Sequence, residues 1–367
     1  MQFVKAKDLK AGMRLARPIY NKEGVLLFER DSKLTAQGIA SIANFGLIGL
    51  FILEPAEPVP PMTEEDLEFE RFQTMSVFSI QEELNHILNT KKQSKLQIIA
   101  DRIIKNYGHL DKKINFIQNL RSKEDYIFKH SLNVAILCAM MGHVLNIKRD
   151  EQLPAVLAAI VHDMGKLTLP PEVNLAEPTE ESEKALKRAE TGAYELIETA
   201  LSEGTTVRRI CMQSERIIAG AKEGQAYDMK LITGAKILAV ADMYDSMTAM
   251  QLEGAPRSEV VAIRYLMERP ESFDPQVVRA LIDSIHILAA GISVELNTGE
   301  KALVIRENEA NILRPMILSF RDNNIIDLDI RANKDLEIVD IMKTLDNRYI
   351  FDDDYLAKAG IHITGPQ

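Results

Sequence analysis

Apolar and polar positions change rhythm along the chain, and each rhythm predicts a different kind of element. In residues 1–54 the runs MRLARPIY and GVLLFER flank the turn-forming Asn21-Lys22-Glu23-Gly24, followed by a short helix and the strand-like GLIGLFIL. That pattern predicts a small α/β module. Residues 55–62 are rich in proline and predict a stiff, extended linker. From 63 to 120, VFSIQEELNHIL and LQIIADRIIKNY repeat apolar positions at the helical period, which predicts a helical leader. Residues 121–290 continue as a helical bundle. From 291 to 367, SVELN, KALVIRE, RPMILSF and IIDLDI alternate with Asn-Thr-Gly, Glu-Asn and Asp-Asn-Asn turns, a β-rich appendage with a final helix near DLEIVDIMKTL. The fold class expected is mainly α, with a helical-bundle core between a small α/β module and a small β-rich appendage.

Inside the bundle, a few polar residues break otherwise buried runs. The run from Leu153 to Val161 ends in His162 and Asp163, followed by Gly165 and Lys166. A carboxylate at the end of a core helix is costly unless neutralised, and an adjacent imidazole makes a divalent metal a fitting partner. His130 opens HSLNVAILCAMMGHVL and Asp242 closes ITGAKILAVAD, so each interrupts an apolar surface in the same way. His130, His162, Asp163 and Asp242 are therefore the candidate metal ligands.

The segments that carry these residues, DYIFKHSLNVA, AAIVHDMGKLTLP and KILAVADMYDSMT, together with SFDPQVV, resemble the HD superfamily of metal-dependent phosphohydrolases. They look closest to its HD-GYP branch, whose active members hydrolyse cyclic di-GMP, and the resemblance covers residues 121 to 285. It implies an HD-type helical core and a divalent ion, iron, manganese, cobalt or zinc, held by the four candidates. It also implies that Asp163 orients a water and that Lys166 lies near the substrate phosphate. Active relatives carry three further histidines, whereas this chain has none from 164 through 285. Ungapped alignment puts Arg188 at the first of them and Gln213-Ser214 at the other two. Ala221-Lys222-Glu223 stands at the Gly-Tyr-Pro element, and AMQLEG replaces the Arg-Pro-Tyr element after Thr248. Arg188 then becomes a candidate to pair with acidic neighbours or to receive a substrate phosphate.

The expectation is a degenerate HD-GYP-like protein with one metal, acting as a weak or altered-specificity phosphohydrolase on a nucleotide or other phosphoester, with cyclic di-GMP hydrolysis impaired. The alternatives are a catalytically inactive pseudoenzyme that binds a nucleotide or a protein partner, and an oligomerisation scaffold. Lys166 also has a plainer reading as a helix C-terminal cation. Asp245 and Thr248 are expected to serve capping or core hydrogen bonding, and Glu190 and Glu215 are candidate carboxylates for a second ion. His86, His109, His143, His286 and His362 are expected to face elsewhere.

Composition narrows the partners. The chain has 367 residues and a formal charge of -10, which excludes a general nucleic-acid-binding surface. Two cysteines, Cys138 and Cys211, imply no disulfide framework or zinc motif. The N-terminal MQFVKAKDLKAGM lacks a signal-like apolar region and the apolar runs read as too short for a bilayer, so the expectation is a cytoplasmic protein without a membrane span. The helical leader is a candidate homodimer surface.

Overall fold

A computed structural model describes residues 2–44, 47, 49–53, 62–118, 121–122, 124–170, 173, 179–226, 230–249 and 257–341. The chain divides into two compact units: residues 1–75, 258–261 and 287–367 form one, residues 76–257 and 262–286 the other. The predicted proline-rich linker falls almost wholly outside the described residues.

In the first unit, β1 (Gln2–Lys5), β5 (Gly49–Leu53) and β2 (Arg14–Leu15) form an antiparallel sheet in the order β1-β5-β2. β3 (Ile19–Tyr20) pairs with β4 (Leu26–Phe28), and α1 spans Ala36–Asn44. Leu15, Leu34, Ile42 and Ile52 lie in the small core they share. The turn at Asn21 forms as the sequence predicts: its Oδ1 accepts from the backbone N–H of Glu23 and Val25, at 3.0 and 2.8 Å. Gly24 sits at φ +76, a backbone region that disfavours any other residue.

The C-terminal strands of this unit are β6 (Ser293–Leu296), β7 (Lys301–Arg306), β8 (Met316–Ser319) and β9 (Ile325–Asp327). They occupy the four predicted runs, in an antiparallel sheet in which β6 pairs with β7, β7 with β8 and β8 with β9. The predicted final helix is corrected here, because Ile338–Ile341 is β10 and pairs with the free edge of β6. Apolar spacing in so short a run fits either period, and β-branched Ile338, Val339 and Ile341 favour the strand once an edge is available. The rest of that run, from 342, lies outside the described residues.

The second unit is helical. α2 (Glu64–Thr90) starts in the first unit and ends here, followed by α3 (Leu96–Tyr107), α4 (Tyr126–Val144) and α5 (Arg149–Val161). A 3-10 turn over Met164–Thr168 leads toward α6 (Glu180–Ala200), α7 (Gly204–Lys222) and α8 (Thr233–Thr248). α9 (Glu259–Met267), whose first three residues belong to the first unit, and α10 (Pro275–Ser284) complete it. α4 packs on α5, α8, α3 and α10, and α7 on α8, α6 and α5. Residues 130–142 of α4 are buried on every side, so this helix is the axis of the core. By length and apolar character α4 meets the minimum for a bilayer span, contrary to the expectation that no run is long enough, and its burial is what a core helix requires.

Candidate metal centre

Four elements aim polar side chains at one place in the helical unit. His130 lies one turn into α4. His162 ends α5, and Asp163 begins the 3-10 turn that follows. Asp242 lies in α8, three residues before Asp245, so both carboxylates share a helix face.

The four candidate ligands meet. His130 Nε2 is 3.2 Å from Asp242 Oδ1 and 3.2 Å from His162 Nε2. Asp163 lies 3.8 Å from His130 Nε2 and 3.7 Å from His162 Nε2, through different oxygens. Asp242 Oδ2 is 3.8 Å from His162 Nε2. One donor atom each from His130, His162 and Asp163 falls within a 4.8 Å span, small enough for a single ion to reach all three.

The ring nitrogens are oriented for ligation. His162 Nδ1 lies 2.9 Å from the Ala159 carbonyl oxygen. A carbonyl can only accept, so Nδ1 carries the hydrogen and Nε2 presents its lone pair to the cluster. His130 Nδ1 lies 2.6 Å from Asp245 Oδ2, which leaves its Nε2 facing Asp242 and His162. This carboxylate–histidine arrangement sets ring direction and basicity in metal sites.

The local field favours positive charge. Burial opposes a charged His130 ring, yet hydrogen bonds to Asp242 and Asp245 outweigh it and raise His130 to about 9. Burial works against ionised Asp163, but Lys166 and the two histidines hold it well below the usual carboxylate range. Asp242 is lowered by His130 and His162 against its own burial. Two imidazoles and two ionised carboxylates suit a divalent transition ion, which would take the place of the proton that His130 holds between Asp242 and His162. The donor set therefore fits the metal the resemblance implies.

Lys166 reaches back to the cluster, its Nζ 2.7 Å from Asp163 Oδ2, with the side chain partly open. Gly165 lets a neighbouring helix close over this turn, since a Cβ there would lie 2.8 Å from the Ala189 carbonyl oxygen in α6. α6 thus presents Ala189 and Ala193 to the turn. Arg188 points about 100° around the helix from Ala189. The expected pairing of Arg188 with acidic neighbours is corrected accordingly: it is exposed and makes no hydrogen bond or ion pair among the described residues.

The other positions at which the resemblance implies histidines also take other roles. Gln213 Oε1 accepts from the backbone N–H of Ile232 at 3.0 Å, tying α7 to the residue that precedes α8. Ser214 is buried, and Glu215 accepts a hydrogen bond from Tyr194. Glu190 is partly buried, and that burial, with the charge of Glu215, raises its carboxyl to about 7. His143 faces elsewhere, with Nε2 2.7 Å from Asp111. His86 and His109 are exposed, and His362 lies outside the described residues.

Sequence reasoning missed the network behind His130. Asp245 is fully buried and accepts from both terminal nitrogens of Arg121, each at 2.7 Å. Asn133 and Gln118 also donate to Asp245, at 3.0 and 3.2 Å, and Gln118 donates to Thr248 at 2.9 Å. The expectation of core hydrogen bonding for Asp245 and Thr248 was right in kind and missed the partner, a metal-ligand candidate. A signal was present: Asn133 interrupts the apolar run of α4 three residues after His130, as Asp245 follows Asp242.

Residues 127–247, which lie within the helical unit, match the family model of the HD domain. The resemblance to the HD-GYP branch is upheld by two curated relatives. A cyclic di-GMP phosphodiesterase of Pseudomonas aeruginosa is 27% identical over 209 residues, covering 55% of this chain and 49% of the relative. Cyclic di-GMP phosphodiesterase PdeB of Borreliella burgdorferi is 21% identical over 215 residues, covering 56% and 55%. The chain spans about half the length of these relatives. No solved structure matches it with comparable significance.

Proposed function

We propose that the HD unit is a metal-dependent phosphohydrolase site that uses one divalent ion and acts on a nucleotide or another small phosphoester. The observation that carries this is the convergence of His130, His162 and Asp163 within 4.8 Å, with Asp242 3.2 Å from His130. A divalent ion held there would supply Lewis-acid chemistry, drawing charge from a phosphoryl oxygen and making a water more acidic.

The chain's own groups complete the site. With a divalent ion bound, Asp163 and Asp242 together would balance its charge, and Arg121 cancels Asp245, which would leave the charge of Lys166, now paired with Asp163, in surplus beside the donors. Its side chain is partly open, and its ammonium would pair with a phosphate oxygen as negative charge develops. Asp163 Oδ2 accepts from Lys166, whereas Oδ1 lies 3.7 Å from His162 Nε2, beyond hydrogen-bond distance, and keeps lone pairs with which it would orient a water. Impaired turnover of cyclic di-GMP is part of this reading, because Gln213 is engaged in a backbone hydrogen bond and Arg188 faces solvent where the resemblance implies histidines. That same engagement of Gln213 favours a second reading, a pseudoenzyme whose core binds a nucleotide or a partner without turning it over.

Metal analysis of the purified chain, with turnover of bis(p-nitrophenyl) phosphate and of cyclic di-GMP, separates the readings. One ion per chain, with turnover of the generic diester lost in Asp163→Ala, is the expected result. Stoichiometric metal without turnover of either substrate favours the pseudoenzyme, and absence of metal refutes both the site and the mechanism.

A further inference from the structure

We infer that Arg121, remote from the metal donors, is a positioning residue that sets the metal affinity of the centre through Asp245 and His130. This rests on the metal-site reading above and assigns it a residue that none of the ligand positions contains.

Arg121 has no exposed side-chain surface, and neither has Asp245. Burying this pair is costly, and a matched apolar pair would often be as stable, so stability alone is a weak reason for its presence. Its geometry gives a better one. Both oxygens of Asp245 are pinned by the guanidinium fork, Oδ2 by Nη1 and Oδ1 by Nη2. Oδ1 also accepts from Asn133 and Gln118, and Gln118 is itself held by Arg121 Nη2 at 3.0 Å. Oδ2 also faces His130 Nδ1, at 2.6 Å. The carboxylate cannot rotate away without breaking several charge-assisted bonds, so the direction of the His130 ring is fixed as well.

A second route reaches the same ring. The Arg121 guanidinium lies over the Tyr126 ring at 5.2 Å, and Tyr126 stacks on His130 with centroids 5.6 Å apart and planes 26° apart. Arg121 therefore braces His130 from its Nδ1 edge through Asp245 and from its face through Tyr126. Outer partners of ligating histidines typically change metal affinity by about 10–100-fold when altered.

The test uses cobalt(II) as probe, with affinity read from its visible absorption on titration into chelator-treated protein, and melting of the metal-free protein read alongside. Arg121→Lys keeps the charge and loses the fork, and is expected to weaken cobalt(II) by about tenfold. Arg121→Gln with Asp245→Asn removes both charges, leaves no uncompensated ion, and is expected to weaken it by about 100-fold. Lys236→Met, which breaks a partly buried ion pair to Asp274 elsewhere in the helical unit, should lower the melting temperature while leaving cobalt(II) affinity within twofold.

Wild-type affinity in whichever Arg121 variant folds overturns the inference and leaves the metal site standing. Failure of both variants to fold assigns Arg121 to the scaffold and overturns it too. If the wild-type chain itself does not bind cobalt(II), the metal reading fails, and the role of Arg121 fails with it.

Discussion

Gly165→Ala is expected to damage the centre without touching a ligand. Gly165 lies in the turn between Asp163 and Lys166, and a Cβ there would sit 2.8 Å from the Ala189 carbonyl oxygen, 3.0 Å from its carbon and 3.2 Å from Ala193 Cβ. The first contact is with helix backbone, which cannot swing aside as a flexible side chain would. Either α6 retreats or the turn moves. Overpacking of this kind costs about 1–3 kcal/mol, and a backbone obstacle argues for the upper half of that range. Gly192→Ala in the same helix is the matched control, because its Cβ would meet nothing within 4 Å. Removing a glycine from that helix interior should stabilise by about 0.5–1 kcal/mol. The two variants are therefore expected to differ by about 3 kcal/mol, with opposite signs relative to wild type. Urea unfolding of chelator-treated protein measures this, and cobalt(II) titration reads the displacement of Asp163 and Lys166. A Gly165→Ala protein as stable as Gly192→Ala, with unchanged cobalt(II) affinity, would refute the close approach of α6 to the turn.

Other expectations rest on separate features. The Glu190 carboxyl is raised to about 7 by burial and by Glu215, whereas in an unfolded chain it titrates near about 4.3. Between those values the folded state binds more protons than the unfolded one, so this group's contribution to stability falls as pH rises through that window. Glu190→Gln should therefore come close to wild type in melting temperature at about pH 4 and exceed it at about pH 8; equal melting at both would refute the assignment. Thr179 and Ser182 form a reciprocal capping box at the start of α6, with bonds of 3.2 and 2.7 Å. Thr179→Ala should cost about 1 kcal/mol in urea unfolding, and no measurable change would show that α6 does not depend on its cap. For Asp163→Ala, isothermal titration should register loss of cobalt(II) binding. Removal of its negative charge also leaves Lys166 without its partner, so the variant's affinity for inorganic phosphate is a useful second reading.

Much of the architecture follows from local pattern alone. The helical period of LQIIADRIIKNY produces α3, and the turn chemistry of Asn21 and Gly24 produces the hairpin between β3 and β4. The Asn-Thr-Gly and Asp-Asn-Asn turns separate C-terminal strands where they were expected, with Gly299 and Asn323 at positive φ. Such features depend on backbone sterics and on neighbours a few residues away, which are written in order along the chain. His130, His162, Asp163 and Asp242 could be picked out for a related reason: each polar group interrupts an apolar run and is costly unless it finds a partner.

Partner identity was decided only by the tertiary structure. The fate of Ile338–Ile341 depended on an open edge of β6, a feature absent from the residues themselves. Arg188 and Glu190 are two positions apart, yet helical phase and the close packing at Gly165 leave one in solvent and the other partly enclosed beside Glu215. Arg121 lies 124 residues from Asp245 in sequence, and nothing near either one specifies the pairing. Long-range contacts among buried charges are fixed by how whole helices pack, because only that packing removes the water that would otherwise satisfy each group on its own.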